Sequence, residues 1–429
     1  MKELDFGLGH AEYKVALCRS NWLEAAVYIF RPTVKCSSQY GRSPGLLTDL
    51  RGDYWPPRRF SLGSNELGGT VWSSTGKSRQ TRRNRTSQLL PQPATPPHTS
   101  KMHLLKEAAA AMQLSIIIIC WNDWKVLENC LRSIFGGTRK TEFEVIVSDN
   151  GSTDGSVEWI RTQFPSVRVI ENRANLGFAK GNNAGIREAS GEYVLILNPD
   201  TIIHPGSLDR WIEFADRHPE AGAFGCRVHN PDGTYQRSAR PFPTISRYLV
   251  TALGLRFLGH LKHLVLSDEY EGWKGDTERE VDWQSGCCVM LRGDLLKKLG
   301  GFDEQFFYQF EEVDLCRRVW NAGCRIRFTP AVSITHLGGQ SVGRFPVRFA
   351  IEICRNGYRY FYKYYGRKGA QQYRRVVLIK FRIRQAWYGL VNLVRPDDVG
   401  KGRLEMYRAT VRWNKHLDPI RFVEQGIEQ

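Results

Sequence analysis

The chain has 429 residues, 41% hydrophobic and 24% charged, enough to bury one large core or two modest ones. Its net charge of +17 sits at the ends: Met1 to Lys101 carries +8, Met102 to Gln340 −3, and Ser341 to Gln429 +12. The near-neutral middle excludes a uniformly basic nucleic-acid-coating protein. A basic tail of this kind suits an anionic surface, whether phospholipid, a lipid-linked diphosphate or nucleic acid.

The ten cysteines form no C-x-x-C pair, and Cys120, Cys130, Cys226 and Cys354 lie in apolar stretches. They read as reduced thiols of a cytosolic protein. The most apolar run, Leu114 to Trp121, is far shorter than the roughly 20 residues that cross a bilayer. No basic segment followed by an apolar one marks a signal peptide.

Residues 1–111 are expected to form a disordered leader, because Gly41 to Ser100 is crowded with Ser, Thr, Arg, Gly and Pro and has no hydrophobic period. Gly76-Lys77-Ser78 echoes the end of a phosphate-binding loop, but Val71 stands where its first glycine is needed. Met102 and Met112 each precede ordered-looking sequence, so the leader is expected to follow from a mis-assigned start.

Beyond Met112, short apolar runs alternate with helical periods, which predicts βα units and a mainly parallel sheet. Strands are expected at Leu114 to Cys120, Glu144 to Ser148, Val167 to Glu171 and Tyr193 to Leu197. Helices are expected between them at Trp124 to Phe135, Asp154 to Phe164 and Gly177 to Ala189. A helix at Ser207 to Asp216 and a strand at Ala223 to Val228 follow, then an irregular stretch to Glu280, a strand at Val281 to Leu291 and a helix at Glu312 to Ala322. From Phe345 to Leu393 aromatics alternate with Arg and Lys. These read as helices with snorkelling basic side chains, lying either on a membrane surface or on the domain itself.

Four loops follow predicted strands and are rich in Asn, Asp and Gly: Trp121-Asn122-Asp123, Asp149 to Asp154, Asn172 to Asn183, and Asn198-Pro199-Asp200. One such loop is ordinary turn chemistry. Four in register fall where an open α/β sheet binds ligands. Trp121 and Trp124 occupy the place where a dinucleotide fold needs glycines, which argues against a hydride-transfer enzyme.

With these motifs the chain resembles family 2 glycosyltransferases of the GT-A fold, especially the rhamnosyltransferase-like members. The resemblance is carried by Ser115 to Asn122, Val145 to Ser156, Asn175 to Asn183, Leu197-Asn198-Pro199-Asp200, Gly300 to Glu304, Glu311 to Arg318, and His336 before Gly338-Gly339. It implies an α/β fold, a Rossmann-like mixed sheet flanked by helices over 112–343, followed by a basic, aromatic-rich helical segment over 344–429. It further implies an inverting enzyme of bacterial polysaccharide or cell-wall assembly, with rhamnose from dTDP-rhamnose the favoured donor and other UDP- or dTDP-linked hexoses open.

By the same resemblance, Asp149 accepts a hydrogen bond from the pyrimidine ring, and Cys120, Trp121, Asn122, Asn150, Asn175, Gly177, Asn183 and Asn198 shape the nucleotide-sugar site. Asp200 and His336 are the implied ligands of Mg²⁺ or Mn²⁺, with Asn198 standing where the family usually has a second aspartate. Glu312 becomes the candidate general base, because an acceptor hydroxyl is a poor nucleophile until its proton is removed. Asp314 beside it would orient acceptor or helix. Trp283, Gly286, Phe307 and Tyr308 are expected to line the acceptor pocket, although aromatic faces suit a core equally well. The implied partners are the nucleotide-sugar, a glycan or lipid-linked saccharide acceptor and an anionic membrane met peripherally at the inner face of the cell membrane; no nucleic acid is expected. A basic nucleic-acid-binding protein and an inactive sugar-binding relative stand as the competing classes.

Overall fold

The computed structural model describes residues 112–254, 270, 272–338 and 346–426. The expected leader, with Gly76-Lys77-Ser78 and Met102, lies outside the described residues, as do Gly339 and the boundary at 343/344. Strand β1 (Leu114–Cys120) is apolar except for Ser115 and buried on both faces, as a central strand must be. Helix α1 (Trp124–Gly137) buries Leu127, Cys130, Leu131 and Ile134, the i, i+3, i+4, i+7 stripe of an amphipathic helix.

The alternation continues through β2 (Phe143–Asp149), α2 (Ser156–Gln163), β3 (Arg168–Glu171), α3 (Gly177–Glu188) and β4 (Tyr193–Leu197). Next come β5 (Thr201–Ile203), α4 (Ser207–Asp216), β6 (Ala221–His229), β7 (Tyr235–Gln236), β8 (Ala239–Arg240) and α5 (Ile245–Ala252). The body closes with β9 (Arg279–Glu280), β10 (Trp283–Gln284), β11 (Cys288–Arg292), α6 (Gly293–Lys298), α7 (Glu311–Asn321) and β12 (Arg325–His336).

The main sheet runs β3-β2-β1-β4-β11-β6-β12-β5. Its first four strands are parallel in register, with Cys120 opposite Asp149 and Asp149 opposite Glu171. The four Asn/Asp loops therefore share one sheet edge, as the sequence predicts. Strand β11 is antiparallel to both β4 and β6, so the sheet is mixed. Alternate residues feed two cores: Ile117 and Ile146 face one side, while Ile116, Ile118, Val145 and Val147 face α1 and α4 on the other.

The single strand expected over Val281 to Leu291 is instead two strands in different sheets. β10 pairs with β8, whereas β11 joins the main sheet. The break is made at Ser285-Gly286-Cys287, where the Ser285 N–H donates to the Ser238 carbonyl at 2.7 Å and the Cys288 N–H turns back on Ser285.

After the body, α8 (Pro346–Val394) is broken at Gly366, which sits at φ 64°. α9 (Asp398–His416) and α10 (Pro419–Gln425) follow, each begun by an aspartate whose carboxylate accepts first-turn N–H groups. Tyr358, Tyr360, Phe361 and Tyr373 of α8 are buried in the same core as Phe302, Phe306 and Phe310 of the body. The aromatic period over this segment is thus the inward face of packed helices. The eight cysteines among the described residues are all unpaired thiols.

Candidate functional site

The candidate donor side is built where β1 and β2 end. Asp149 is 2% exposed, and its Oδ2 accepts the N–H groups of Gly151 (3.0 Å) and Ser152 (2.9 Å), closing an Asx turn. Its Oδ1 is buried without a partner. An orphaned buried acceptor costs about 1–3 kcal/mol, and here one carboxylate both forms the turn and keeps an oxygen for a ligand. Asn122, at φ 53°, ties the neighbouring loop on: its Oδ1 accepts the Thr153 N–H at 2.7 Å, and its own N–H donates to Ser152 Oγ at 2.9 Å. Trp121 is half-buried beside it, and burial pushes the Cys120 thiol up to about 11, so that sulfur is neutral lining.

The other asparagines are spent on bracing. Asn150 donates to the Gly177 carbonyl at 3.1 Å and accepts from Asn172 at 3.0 Å. Asn175 accepts the Gly177 N–H at 3.0 Å. Asn183 both donates to and accepts from the Phe302 backbone, at 2.9 and 2.8 Å, and also donates to Glu304. Gly177 is held at φ 78° with Phe307 against it, and a Cβ there would sit 2.7 Å from the ring. Phe307 therefore packs on the loop that opens α3.

Past β4, the Asp200 carboxylate meets His336 at the end of β12, with Oδ1 3.2 Å from Nε2. Asn198 Nδ2 lies 3.4 Å from the same nitrogen. Gln236 holds the far side of the ring, its Oε1 2.7 Å from Nδ1, while its own amide nitrogen donates to Asn230 Oδ1 at 2.9 Å. That second bond aims the Gln236 oxygen at His336, so Nδ1 carries a proton and Nε2 is left facing Asp200, the nitrogen a cation would take. Burial pushes the Asp200 carboxyl up, but the His336 imidazole and the N–H groups of Asp200 and Gly338 together outweigh it and hold the group below its ordinary value. Among the described residues no three His, Cys, Asp or Glu side chains converge into a complete cation shell. The donor set fits a hard cation that draws its remaining ligands from phosphate and water.

The candidate base enters from α7. Gln309 and Phe310 both adopt left-handed backbone, at φ 62° and 73°, just before the helix, and such conformations cluster at functional sites. Burial raises the Glu312 carboxyl, the N–H groups of Glu312, Gly286 and Val313 pull it back down, and the net shift is upward. Its Oε2 has no partner. Burial and the neighbouring Glu312 raise Glu311 further. Gly286 leaves room beside Glu312: a Cβ there would touch Phe178 at 3.1 Å and lie 3.5 Å from the Glu312 Cβ.

Glu312 and Trp283 line one cleft, together with Ser285, Arg237, Arg240 and Arg247. Tyr308 packs on Phe349 at 4.8 Å between centroids, away from the cleft lining. Asp314 points elsewhere too. Fully buried, it bonds Arg318 Nε (2.8 Å), Lys363 Nζ (2.7 Å) and the Tyr364 hydroxyl (2.8 Å). Its contacts serve the helix and leave no oxygen for an acceptor, so it is not brought together with Glu312 in the cleft.

The model for glycosyl transferase family 2 matches residues 115–272. An N-acetylglucosaminyl-diphospho-decaprenol L-rhamnosyltransferase of Mycobacterium tuberculosis is 32% identical over 246 residues, covering 54% of this chain and 78% of that protein. The chain belongs to glycosyl transferase family 2. It is a glycosyltransferase, and its mixed sheet with flanking helices is the GT-A arrangement expected of the family. A second relative, the rhamnosyltransferase WbbL of Escherichia coli, is 28% identical over 37% of this chain and 60% of its own length. A mannosyltransferase structure from Pyrobaculum calidifontis, in complex with GDP-Man and Mn²⁺, overlays with a TM-score of 0.44 at 15% identity, over 73% of this chain and 87% of that one.

Sequence reasoning missed Gln236 and the three arginines. All four lie in the stretch that reads as irregular, where two-residue strands and one short helix leave little periodic signal.

Proposed function

We propose that this glycosyltransferase moves rhamnose from dTDP-rhamnose to a saccharide hydroxyl, with inversion at the anomeric carbon. The observation that carries the mechanism is Glu312: a buried carboxylate with an unpartnered oxygen, in a cleft shared with Trp283. Glu312 takes the acceptor's proton as its oxygen bonds the anomeric carbon, and the bond from that carbon to the diphosphate breaks. A base with a raised carboxyl is better matched to a hydroxyl proton near neutrality than an ordinary glutamate. The free Oδ1 of Asp149 accepts the imide N–H of thymine or uracil. Asp200 and His336 would hold a divalent cation, Mg²⁺ or Mn²⁺, which offsets charge on a departing diphosphate. The rhamnosyl choice is supported by the named activities of the two relatives.

Incubating the protein with a panel of dTDP- and UDP-sugars and Mn²⁺, and measuring nucleotide diphosphate release, tests this. dTDP-rhamnose should turn over fastest, and Asp200→Ala and Glu312→Gln should fall to background. Wild-type activity retained in both variants, or no turnover of any donor, ends the proposal.

The acceptor is a glycan or lipid-linked saccharide, met at an anionic membrane surface. Among the described residues no helix is long and apolar enough to cross a membrane. The second half of α8 instead shows a row of exposed apolar side chains: Ile379, Ile383, Leu390, Leu393 and Val394, the last two 83% and 80% exposed. A groove holding Arg382, Arg408 and Lys415 lies alongside. An exposed apolar row flanked by cations suits the interface of anionic lipid. Leu390→Glu with Leu393→Glu should abolish co-sedimentation with phosphatidylglycerol vesicles, and undiminished binding refutes the contact.

A further inference from the structure

Glu312 stands at the start of a helix whose entry is strained. Gln309 and Phe310 hold φ 62° and 73° immediately before α7, and Phe310, the N-cap residue, has no side-chain cap to offer. Two successive non-glycine residues in left-handed backbone persist only where their surroundings hold them. The same turn sets the carboxylate, because Glu312 accepts the N–H groups of Glu312 and Val313. A shift of the entry therefore moves Glu312 with it.

What holds the entry comes from α8, ahead of its break at Gly366. Phe349 packs on the Tyr308 ring at 4.8 Å between centroids, and Tyr360 on Phe310 at 5.3 Å. Asn356 shares their helical face, at the i, i+7, i+11 spacing. It is fully buried. Its Nδ2 donates to the Tyr308 carbonyl at 2.7 Å, and its Oδ1 accepts Arg359 Nη1 at 2.9 Å, which fixes the amide with its nitrogen toward Tyr308. Phe307, one residue earlier, is fastened elsewhere: its carbonyl accepts the Phe178 N–H at 3.1 Å and its ring packs on Gly177. The segment is thus tied to α3 at Phe307 and to α8 at Tyr308, and the two left-handed residues follow at once.

We propose that Asn356 is a positioning residue for Glu312: its hydrogen bond to the Tyr308 carbonyl holds the left-handed turn at Gln309 and Phe310 and so aims the carboxylate into the cleft. This rests on the reading of Glu312 as base and adds the residue that keeps it in place. Asn356 itself does not line the cleft.

Three variants test this, with nucleotide diphosphate release from the fastest donor of the panel above. Asn356→Leu removes the hydrogen bond, and Asn356→Asp keeps the volume and the Arg359 partner while turning an acceptor toward Tyr308. Tyr358→Phe is the control, since it breaks a 2.6 Å bond to Asn414 within the tail and leaves Tyr308 alone. Both Asn356 variants should lower kcat roughly 10- to 100-fold, the scale of a reacting group displaced by about 1 Å, with the donor KM unchanged. In Asn356→Leu the acid limb of the kcat/KM profile should also move to lower pH. Burial raises the Glu312 carboxyl, and a loosened turn that admits water lets it fall back, so that it stays ionised at lower pH. Glu311, Tyr308, Cys287, Arg237, Arg240 and Arg247, which surround it, are the same in that variant.

Hydrogen exchange of the substrate-free protein is the second measurement. Amides from Tyr308 to Asp314 should exchange roughly 10-fold faster or more in Asn356→Leu and at the wild-type rate in Tyr358→Phe. Wild-type kcat in either Asn356 variant overturns the proposal, as does an equal loss in Tyr358→Phe, an unmoved acid limb or unchanged exchange. A donor KM that rises in step with the loss of kcat overturns it too, because the effect would then lie at Gly177 through Phe307. Wild-type activity in Glu312→Gln would instead remove Glu312 as the base, and the exchange rates would still decide whether Asn356 holds the turn.

Discussion

Replacing Asp314 by Asn tests whether this residue ties the helix that carries Glu312 to the C-terminal helices. Its carboxylate is fully buried and bonds Arg318, Lys363 and Tyr364 at 2.7 to 2.8 Å. Breaking a buried pair from one side costs about 3–5 kcal/mol, because the partner charge is left uncompensated. Two features reduce that here. Arg318 retains the carbonyls of Leu299 and Gly301 at 2.9 and 2.8 Å, and Lys363, 35% exposed, retains Asp303 at 2.7 Å. The expected loss is therefore about 2–3 kcal/mol, or roughly 5 °C in melting temperature for a unit of this size. Lys363→Met should cost about 1 kcal/mol or less, since Asp314 keeps Arg318 and Tyr364. Urea titration followed by tryptophan fluorescence, at constant slope, reads both. Equal midpoints for Asp314→Asn and wild type, or a Lys363→Met loss as large as that of Asp314→Asn, would show that the cluster does not tie the helix.

Glu312→Gln should lower transfer by roughly 10²- to 10⁴-fold and also change the pH dependence of stability. The folded-state carboxyl is raised, mainly by burial. Its contribution to stability is thus full below the unfolded carboxylate range and lost as pH rises through the folded value. The variant should melt above wild type at about pH 8 and alongside it at about pH 4, and a lower melting point at the higher pH contradicts the buried-base geometry. Asp149→Ala should weaken dTDP and UDP binding about tenfold. It should also erase wild-type discrimination against N3-methyl-UDP in calorimetry, and retained discrimination would mean that Oδ1 does not read the base. Gln236→Leu should raise the Mn²⁺ concentration for half-maximal activity roughly 10- to 100-fold, and an unchanged metal curve would remove Gln236 from the orientation of His336.

What could be read from the sequence was whatever repeats or alternates. β1 and β4 end where the apolar runs end, because both are buried on both faces, and α4 matches its expected range residue for residue. The four polar loops share an edge because parallel strands in register leave them no other place. The break at Ser285 to Cys287 was hidden, since it depends on β8, a two-residue strand about forty residues earlier in the chain. Side-chain roles were legible only in part. Asn183 reads as a binding residue by motif, yet its amide is consumed by the Phe302 backbone. Asp314 reads as chemistry because it follows Glu312, whereas one helical turn carries Arg318 to its side. Arg240 and Arg247 fall in the stretch that reads as irregular, and no pattern in the sequence places them beside Trp283 and Glu312.

The core shared by α8 and the body limits how this enzyme can be rebuilt. A graft that carries the helical tail of one relative onto the body of another would have to match Tyr360 against Phe310, whose rings stand 5.3 Å apart, and supply a cation for Asp314, fully buried on the helix that carries Glu312. Tail and body should therefore covary among relatives, with changes at Phe302, Phe310 and Asp314 accompanied by changes at Tyr360, Lys363 and Tyr364.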